Sequence, residues 1–84
     1  MDEKEVGKVT HYYNHISVGI IELSDNLRVG DTIHIKGHSS DFTQKVDSMQ
    51  IEHNSISEAK AGDIIGLKVI QKVHPRDKVY KVVA

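Results

Sequence analysis

The sequence lacks cysteine altogether and contains one proline, no tryptophan and one phenylalanine. Without cysteine, disulfides and thiolate metal sites are excluded. No apolar run approaches the roughly 18 residues that a membrane-spanning helix requires. The charged N-terminus, Met1 to Glu5, is not followed by the apolar stretch of a signal peptide. We therefore expect a cytoplasmic protein with no membrane partner.

An excess of charge of one sign is also missing, because 11 Lys and Arg face 12 Asp and Glu, for a formal net charge of −1. This balance excludes a globally basic nucleic-acid binder. The distribution is uneven, since residues 67–84 hold five basic side chains and one acidic one, whereas residues 1–66 hold six basic and eleven acidic. The C-terminal segment predicts either a basic patch suited to phosphates or lysines that protect an edge strand from aggregation.

The apolar residues that are present favour β-structure. Ten Ile and ten Val stand against three Leu and three Ala, and branching at Cβ suits a pleated sheet better than a helix. A length of 84 residues fits a single domain. We therefore predict one all-β domain over residues 1–84, with residues 1–5 as a flexible N-terminus.

Alternating apolar residues between turn signals predict six strands at intervals of roughly ten residues, the spacing of a small antiparallel barrel or sandwich. We favour a six-stranded antiparallel β-barrel, because a short chain must protect its sheet edges. Breaks in the alternation predict one β-bulge near Gly19 and another near residues 47–48. The predicted strands cover Val6–Tyr13, Ile16–Leu23, Thr32–Gly37, Thr43–His53, Ile64–Ile70 and Lys78–Val83.

An internal repeat joins two segments 32 residues apart, RVGDTIHIKG from Arg28 and KAGDIIGLKV from Lys60. Each contains a Gly-Asp pair before an alternating apolar stretch. Glycine adopts positive φ without the cost of a Cβ, and aspartate hydrogen-bonds the amides of its own turn. A duplication and a common turn used twice explain the repeat equally well. In both cases we predict structural turns at Gly30, Asp31, Gly62 and Asp63.

Three segments together resemble the second domain of elongation factor Tu and related translational GTPases. They are LRVGDTIHI from Leu27, the stretch from Lys45 to Ile51, and EAKAGDIIGL from Glu58. They match the order and spacing of that domain's "k-V-G-D-x-v" and "E-A-x-A-G-D-x-v-G" motifs. The resemblance spans nearly the whole chain and implies a six-stranded antiparallel barrel of the translation-factor domain II type.

More narrowly, IHIKGH from Ile33 and DFTQ from Asp41 resemble a stand-alone group of translation elongation factor-like proteins. Related barrels also occur as accessory C-terminal domains of U32-type peptidase-like proteins, some of them similar to RNA hydroxylation enzymes. The phosphate-binding G-x-x-x-x-G-K-[ST] loop of the larger factors is missing from the sequence, so we expect no GTP binding by this chain alone. The arginine-containing "R-x-E-R-G" segment is replaced by ELSDN from Glu22, which puts recognition of an aminoacylated tRNA end in doubt.

Catalytic chemistry has little support in the sequence. It contains no Gly-x-Ser-x-Gly elbow and no carboxylate pair in a recognisable context. Six histidines are present, but their spacing does not match a metal site, and rim positions suit them better. His34 and His38 could stack on a base or bond a phosphate. We therefore predict no enzyme activity, no catalytic residues, no cofactor and no bound metal.

Two functions remain open. The first is a non-catalytic module that binds tRNA, rRNA or the ribosome, as the translation-factor resemblance implies. The second is a protein-interaction module that acts in trans with a U32-type peptidase-like or RNA-modifying enzyme. Phe42, in a polar context, is the best candidate for an exposed contact residue. The full set of candidate binding residues is Lys36, His38, Phe42, Lys45, Lys68, Lys72, Arg76, Lys78 and Lys81.

Overall fold

The computed structural model describes residues 2–83 and confirms the all-β prediction, since these residues form ten strands and no helix. Residues 2–83 accordingly contain no helix long and apolar enough to cross a membrane. The strands are β1 (Glu3–Tyr13), β2 (Val18–Leu23), β3 (Leu27–Arg28), β4 (Thr32–Lys36), β5 (Asp41–Lys45), β6 (Met49–Ile51), β7 (Asn54–Ile56), β8 (Glu58–Ala59), β9 (Ile64–Lys68) and β10 (Lys78–Val82).

Eight of the strands form one antiparallel sheet in the order β5-β4-β10-β1-β2-β9-β6-β7, and β3 pairs with β8 in a second, two-stranded sheet. The large sheet is open, with β5 and β7 as its edges. The predicted closed barrel of six strands is therefore wrong in strand number and in closure. The predicted strand from Thr43 to His53 is in fact β5 and β6, separated by residues 46–48.

The side chain of Gln44 links the edge strand β5 to the end of β9, where a closed barrel would have backbone hydrogen bonds between the two strands. Gln44, on the edge strand β5, donates from Nε2 to the Lys68 carbonyl at 2.9 Å. Its Oε1 accepts from the Ile70 amide, also at 2.9 Å. One carboxamide thus satisfies the donor and the acceptor that a neighbouring strand would satisfy. The sheet curls until β5 meets the end of β9, but the link is one glutamine rather than a backbone ladder.

The core lies between the curled faces of the sheet and consists mostly of small branched side chains. Burying each one contributes roughly 1.5–3 kcal/mol relative to leaving it exposed. The fully buried members are Val6, Val9, Ile21, Leu27, Ile33, Ile35, Val46, Met49, Ile65, Leu67, Val73 and Val79.

Both ends of the described chain lie inside the sheet. Glu3 to Glu5, expected to be flexible, begin β1 and pair with β10, and Lys4 makes an ion pair with Asp25 at 2.6 Å. Strand β10 lies between β4 and β1. Its lysines therefore do not protect an edge strand, and that interpretation of the C-terminal charge is wrong.

The bulge predicted near Gly19 is also wrong. The register shift lies in the partner strand β1, between Val9 and His11. In β2 the alternation is regular, because the buried residues Gly19, Ile21 and Leu23 all face the core. Val18 and Ile20 lie on the outer side of the strand, so both faces of β2 are apolar.

Candidate functional site

Two of the predicted lysines belong to a row of basic side chains that crosses the sheet. Lys36 on β4 lies directly opposite Lys78 on β10, and Lys78 lies opposite Lys8 on β1. Lys8 is not among the binding residues predicted from the sequence. Carboxylates stand at both ends of this row, since Asp41 is opposite Lys36 and Glu22 is opposite Lys8. The row therefore runs across five strands with an acidic residue at each end.

Two of these lysines make ion pairs with neighbouring carboxylates. Lys8 contacts Glu22 at 3.6 Å, and Lys78 contacts Glu5 at 3.5 Å. Lys36 helps to lower the pKa of Asp41, although the hydrogen bond from His34 is the larger cause. Like charges directly opposite one another are unfavourable in a sheet, and the interleaved carboxylates offset that repulsion. The surface therefore carries carboxylates beside its lysines and is not uniformly cationic.

The other predicted binding residues lie on different parts of the molecule. Lys81 is partly buried and donates to the Asn26 carbonyl at 3.2 Å. Lys45 ends the edge strand β5, and Lys68 ends β9. The rest lie in connections: His38 follows β4, and Lys72 and Arg76 lie between β9 and β10.

Phe42 does not face solvent. It is 8% exposed and belongs to the core, where β5 places it opposite Ile35. The polar neighbours that suggested exposure, Asp41 and Thr43, occupy the outer side of the same strand. The prediction of an exposed Phe42 is wrong because strand alternation, rather than local polarity, decides its direction.

His34 lies on the outer face of β4 between two carboxylates. Its Nδ1 bonds Glu3 Oε2 at 2.8 Å, and its Nε2 bonds Asp41 Oδ1 at 2.5 Å. Both ring nitrogens can donate only in the protonated imidazole. The hydrogen bond to Asp41, with that to Glu3, raises the pKa of His34 despite partial burial. The imidazolium thus holds the start of β1 and the start of β5 together.

This arrangement makes stability depend on pH with a defined sign. The pKa of His34 in the folded protein lies above its ordinary value of 6.5. The stability that His34 contributes is therefore complete below pH 6.5 and is lost as the pH rises through the folded pKa. For Asp41, the hydrogen bond from His34 lowers the pKa below 3.8. Its contribution is present above that value and is lost as the pH falls through the lowered pKa.

One cluster contains the residue types of a hydrolase triad. Ser40 Oγ lies 3.4 Å from His74 Nδ1, and Asp77 Oδ2 lies 3.9 Å from the same nitrogen. A triad requires the serine at one ring nitrogen and the carboxylate at the other. Here both face Nδ1, and Ser40 is only 4% exposed. The cluster closes the loop before β10 and does not have triad geometry.

Asp77 has a structural role in that loop. Its side chain accepts from the His74 amide at 2.9 Å and is buried against Gly37. Within residues 2–83, no cluster of three or more His, Asp or Glu side chains could hold a metal ion.

The repeated Gly-Asp turns have matching geometry. Gly30 has a φ of 101° and Gly62 a φ of 92°. Asp31 accepts from the Arg28 amide and Asp63 from the Lys60 amide, in each case at 2.9 Å. The motif that suggested a translation factor therefore builds a turn, which any protein with this fold can use.

A concave surface on the outer side of the sheet was not anticipated from the sequence. It is a groove of about 560 Å³ on the outer face of β2, β9 and β6, here called the outer groove. Ile16, Ile64 and Tyr13 are 60%, 56% and 51% exposed. Its apolar walls are formed by Tyr13, Ile16, Val18, Ile20, Ile51 and Ile64.

The turn between β6 and β7 forms part of the edge of the outer groove. Its backbone is strained. Glu52 and His53 have φ values of 50° and 67° and form the two-residue loop between Ile51 and Asn54. Positive φ at both positions is the pattern of a type I′ turn, which favours Asn-Gly. Each non-glycine residue there costs on the order of 1 kcal/mol.

Known proteins to which this chain is similar are named as a protease or a collagenase rather than as translation factors. No family model matches the chain. Over 77 residues it is 40% identical to an uncharacterized protease of Methanocaldococcus jannaschii, and over 78 residues it is 35% identical to a collagenase of Porphyromonas gingivalis. Each alignment covers 90% of this chain but 19% and 22% of the relative. The chain thus spans about a fifth of the length of the curated relatives it matches.

Solved structures agree on the fold. The C-terminal domain of a Geobacillus thermoleovorans protein named as a U32 peptidase matches with a TM-score of 0.89 and 22% identity, over 95% of this chain and 93% of that domain. Its selenomethionine variant matches with a TM-score of 0.86 over 90% and 96%. The expected membership of a translation elongation factor-like group is wrong, because these relatives are a protease, a collagenase and a peptidase domain. The chain has the fold of a U32 peptidase C-terminal domain.

Proposed function

We propose that this chain is an accessory protein-interaction module that acts with the catalytic part of a U32-type peptidase-like enzyme. The observation that carries the proposal is the extent of the alignments. Relatives named as a protease and a collagenase match 90% of this chain with about a fifth of their own length. About four-fifths of each of these relatives lies outside the region that matches this chain.

The geometry supports an accessory role over a catalytic one. The Ser40, His74 and Asp77 cluster has both partners at one imidazole nitrogen, whereas a catalytic triad has one at each ring nitrogen. The outer groove is open and mostly apolar, which suits contact with another polypeptide surface. In contrast, the lysine row that an RNA partner would use is interleaved with carboxylates.

The proposal is tested by capturing partners of the tagged chain from lysate of its source organism. Half of the lysate is treated with RNase, and captured proteins are identified by mass spectrometry. We expect a U32-type peptidase-like protein in both halves. A Lys36→Ala, Lys78→Ala double variant serves as a control and should capture the same protein. Capture that consists of RNA, or of proteins lost on RNase treatment, would contradict the proposal.

A further inference from the structure

We propose that the outer groove is the docking site for an extended segment of the U32-type enzyme, which adds as a strand beside β9 at Ile64 and places an apolar side chain over Gly66. This inference rests on the proposed function, which supplies the enzyme as the partner. Four features of the groove carry it: an open backbone edge, a floor without a side chain, exposed apolar walls and acidic groups at the rim.

The open edge belongs to β9. That strand pairs with β2 at all five of its residues, but with β6 only at Gly66 and Leu67. In an antiparallel ladder, successive residues direct their backbone groups to opposite edges. The Lys68 carbonyl bonds Gln44 on the edge away from β2, and Ile64 faces that same edge because it precedes Lys68 by four residues.

Within the described part of the chain, no ladder or side-chain hydrogen bond reaches Ile64 on this edge. A free N–H and C=O at a sheet edge form a template for pairing with another chain. Addition of a strand uses these groups for affinity, while pockets for alternate side chains give specificity.

The floor of the groove is Gly66. A Cβ built there would lie 3.4 Å from Val18 Cγ1 and 3.8 Å from Ile20 Cδ1, which are ordinary contacts. Neither packing nor a positive φ therefore requires glycine at this position. The space between β2 and β6 at this position accepts a Cβ in ordinary contact, and we place the apolar side chain of the docked segment over it.

The walls and rim define the chemistry of the occupant. Ile16 and Ile64 are each more than half exposed and line the same groove, whereas isolated exposed apolar residues are usually scattered. Glu52 and Asp63 add carboxylates at the rim. These features fit an extended segment with apolar residues at alternate positions and an adjacent lysine or arginine.

The test measures binding of the full chain to the purified U32-type peptidase-like protein by calorimetry. Ile64→Lys places a charge in the groove, and Gly66→Val fills its floor. We expect each to weaken binding by about tenfold or more, as for central interface residues. Ile70→Lys is the matched control, because Ile70 is 67% exposed and lies outside the groove. It should bind within about twofold of the unmodified chain.

A second measurement separates strand addition from side-chain contact alone. Hydrogen exchange of the Ile64 amide should slow in the complex, because its N–H gains a backbone partner. The thermal melt of Ile64→Lys should match that of the unmodified chain, since the Ile64 side chain is mostly in solvent.

The possible negative results distinguish the groove, the proposed function and strand addition from one another. Enzyme binding by the unmodified chain that Ile64→Lys and Gly66→Val leave intact would overturn the groove and keep the proposed function. No binding by any form would overturn both. Binding with an unprotected Ile64 amide would overturn strand addition. A dimer in light scattering that Ile64→Lys abolishes would mean that a second copy occupies the groove, which overturns the choice of partner.

Discussion

Replacing Gln44 with leucine tests how the open sheet is held at its curled edge. The carboxamide makes two hydrogen bonds of 2.9 Å, to the Lys68 carbonyl and from the Ile70 amide. A net hydrogen bond contributes about 0.5–1.5 kcal/mol. Because both bonds are exposed, water replaces part of the loss. We expect Gln44→Leu to lower the free energy of unfolding by about 1–2 kcal/mol.

The assay is urea denaturation followed by circular dichroism, together with a thermal melt. For a domain of this size, each 1 kcal/mol corresponds to roughly 4–8 °C in Tm. Hydrogen exchange of the Ile70 amide should accelerate in Gln44→Leu, because that N–H loses its acceptor. Gln71→Leu is the matched control, since Gln71 is exposed in the following loop and the described structure gives its side chain no hydrogen bond.

Surface substitutions typically change the free energy of unfolding by no more than about 0.5 kcal/mol. A change that small for Gln44→Leu, or equal effects of Gln44→Leu and Gln71→Leu, would contradict this role of Gln44. Either result would mean that the backbone bonds between Gly30 and Val46 and between Val46 and Asp31 hold this edge without the glutamine.

Three further changes have defined outcomes. Gly37→Ala would place a Cβ in steric conflict with the buried carboxylate of Asp77, so we expect the free energy of unfolding in urea to fall by roughly 2–4 kcal/mol. Phe42→Ala should cost about 3 kcal/mol in the same assay, because it leaves a cavity in the core, whereas Ile70→Ala should cost almost nothing. In the unmodified protein, stability should fall as the pH rises from 6.5 through the raised pKa of His34, and His34→Gln should abolish that fall.

Each of these has an outcome that would contradict it. An unfolding curve for Gly37→Ala that overlays the unmodified protein would show that the Asp77 carboxylate is not fixed beneath it. Equal stability of Phe42→Ala and Ile70→Ala would place Phe42 outside the core. A pH profile unchanged by His34→Gln would mean that its two carboxylate contacts contribute nothing in solution.

Local patterns in the sequence were sufficient for the fold class. The excess of Ile and Val predicted an all-β domain, and the strands have the period-two burial that those residues suggested. The sequence was insufficient wherever a neighbouring strand decides the outcome. The two isoleucines at positions 20 and 21 were interpreted as a bulge near Gly19. In the structure the strand is regular, Ile21 is buried, and Ile20 forms part of the groove wall.

The binding residues show the same limit. Lysines near the C-terminus were predicted to form a basic patch, but a carboxylate that pairs with one of them comes from a distant position, since Glu5 lies 3.5 Å from Lys78. Phe42 was predicted to be exposed because its sequence neighbours are polar. A residue's sequence neighbours in a strand face the opposite side, so their polarity carries no information about its own burial.

The sequence by itself determined that the chain is β-structured and that its Gly-Asp pairs are turns, because Cβ branching and glycine's positive φ act within a few residues. It also excluded thiolate metal sites, because the sequence contains no cysteine. Only the tertiary structure decided that the sheet is open and that β9 has a free edge at Ile64. Only there do Ile16, Ile51 and Ile64 line one groove with Gly66, because strand order is set by contacts between residues far apart in the chain.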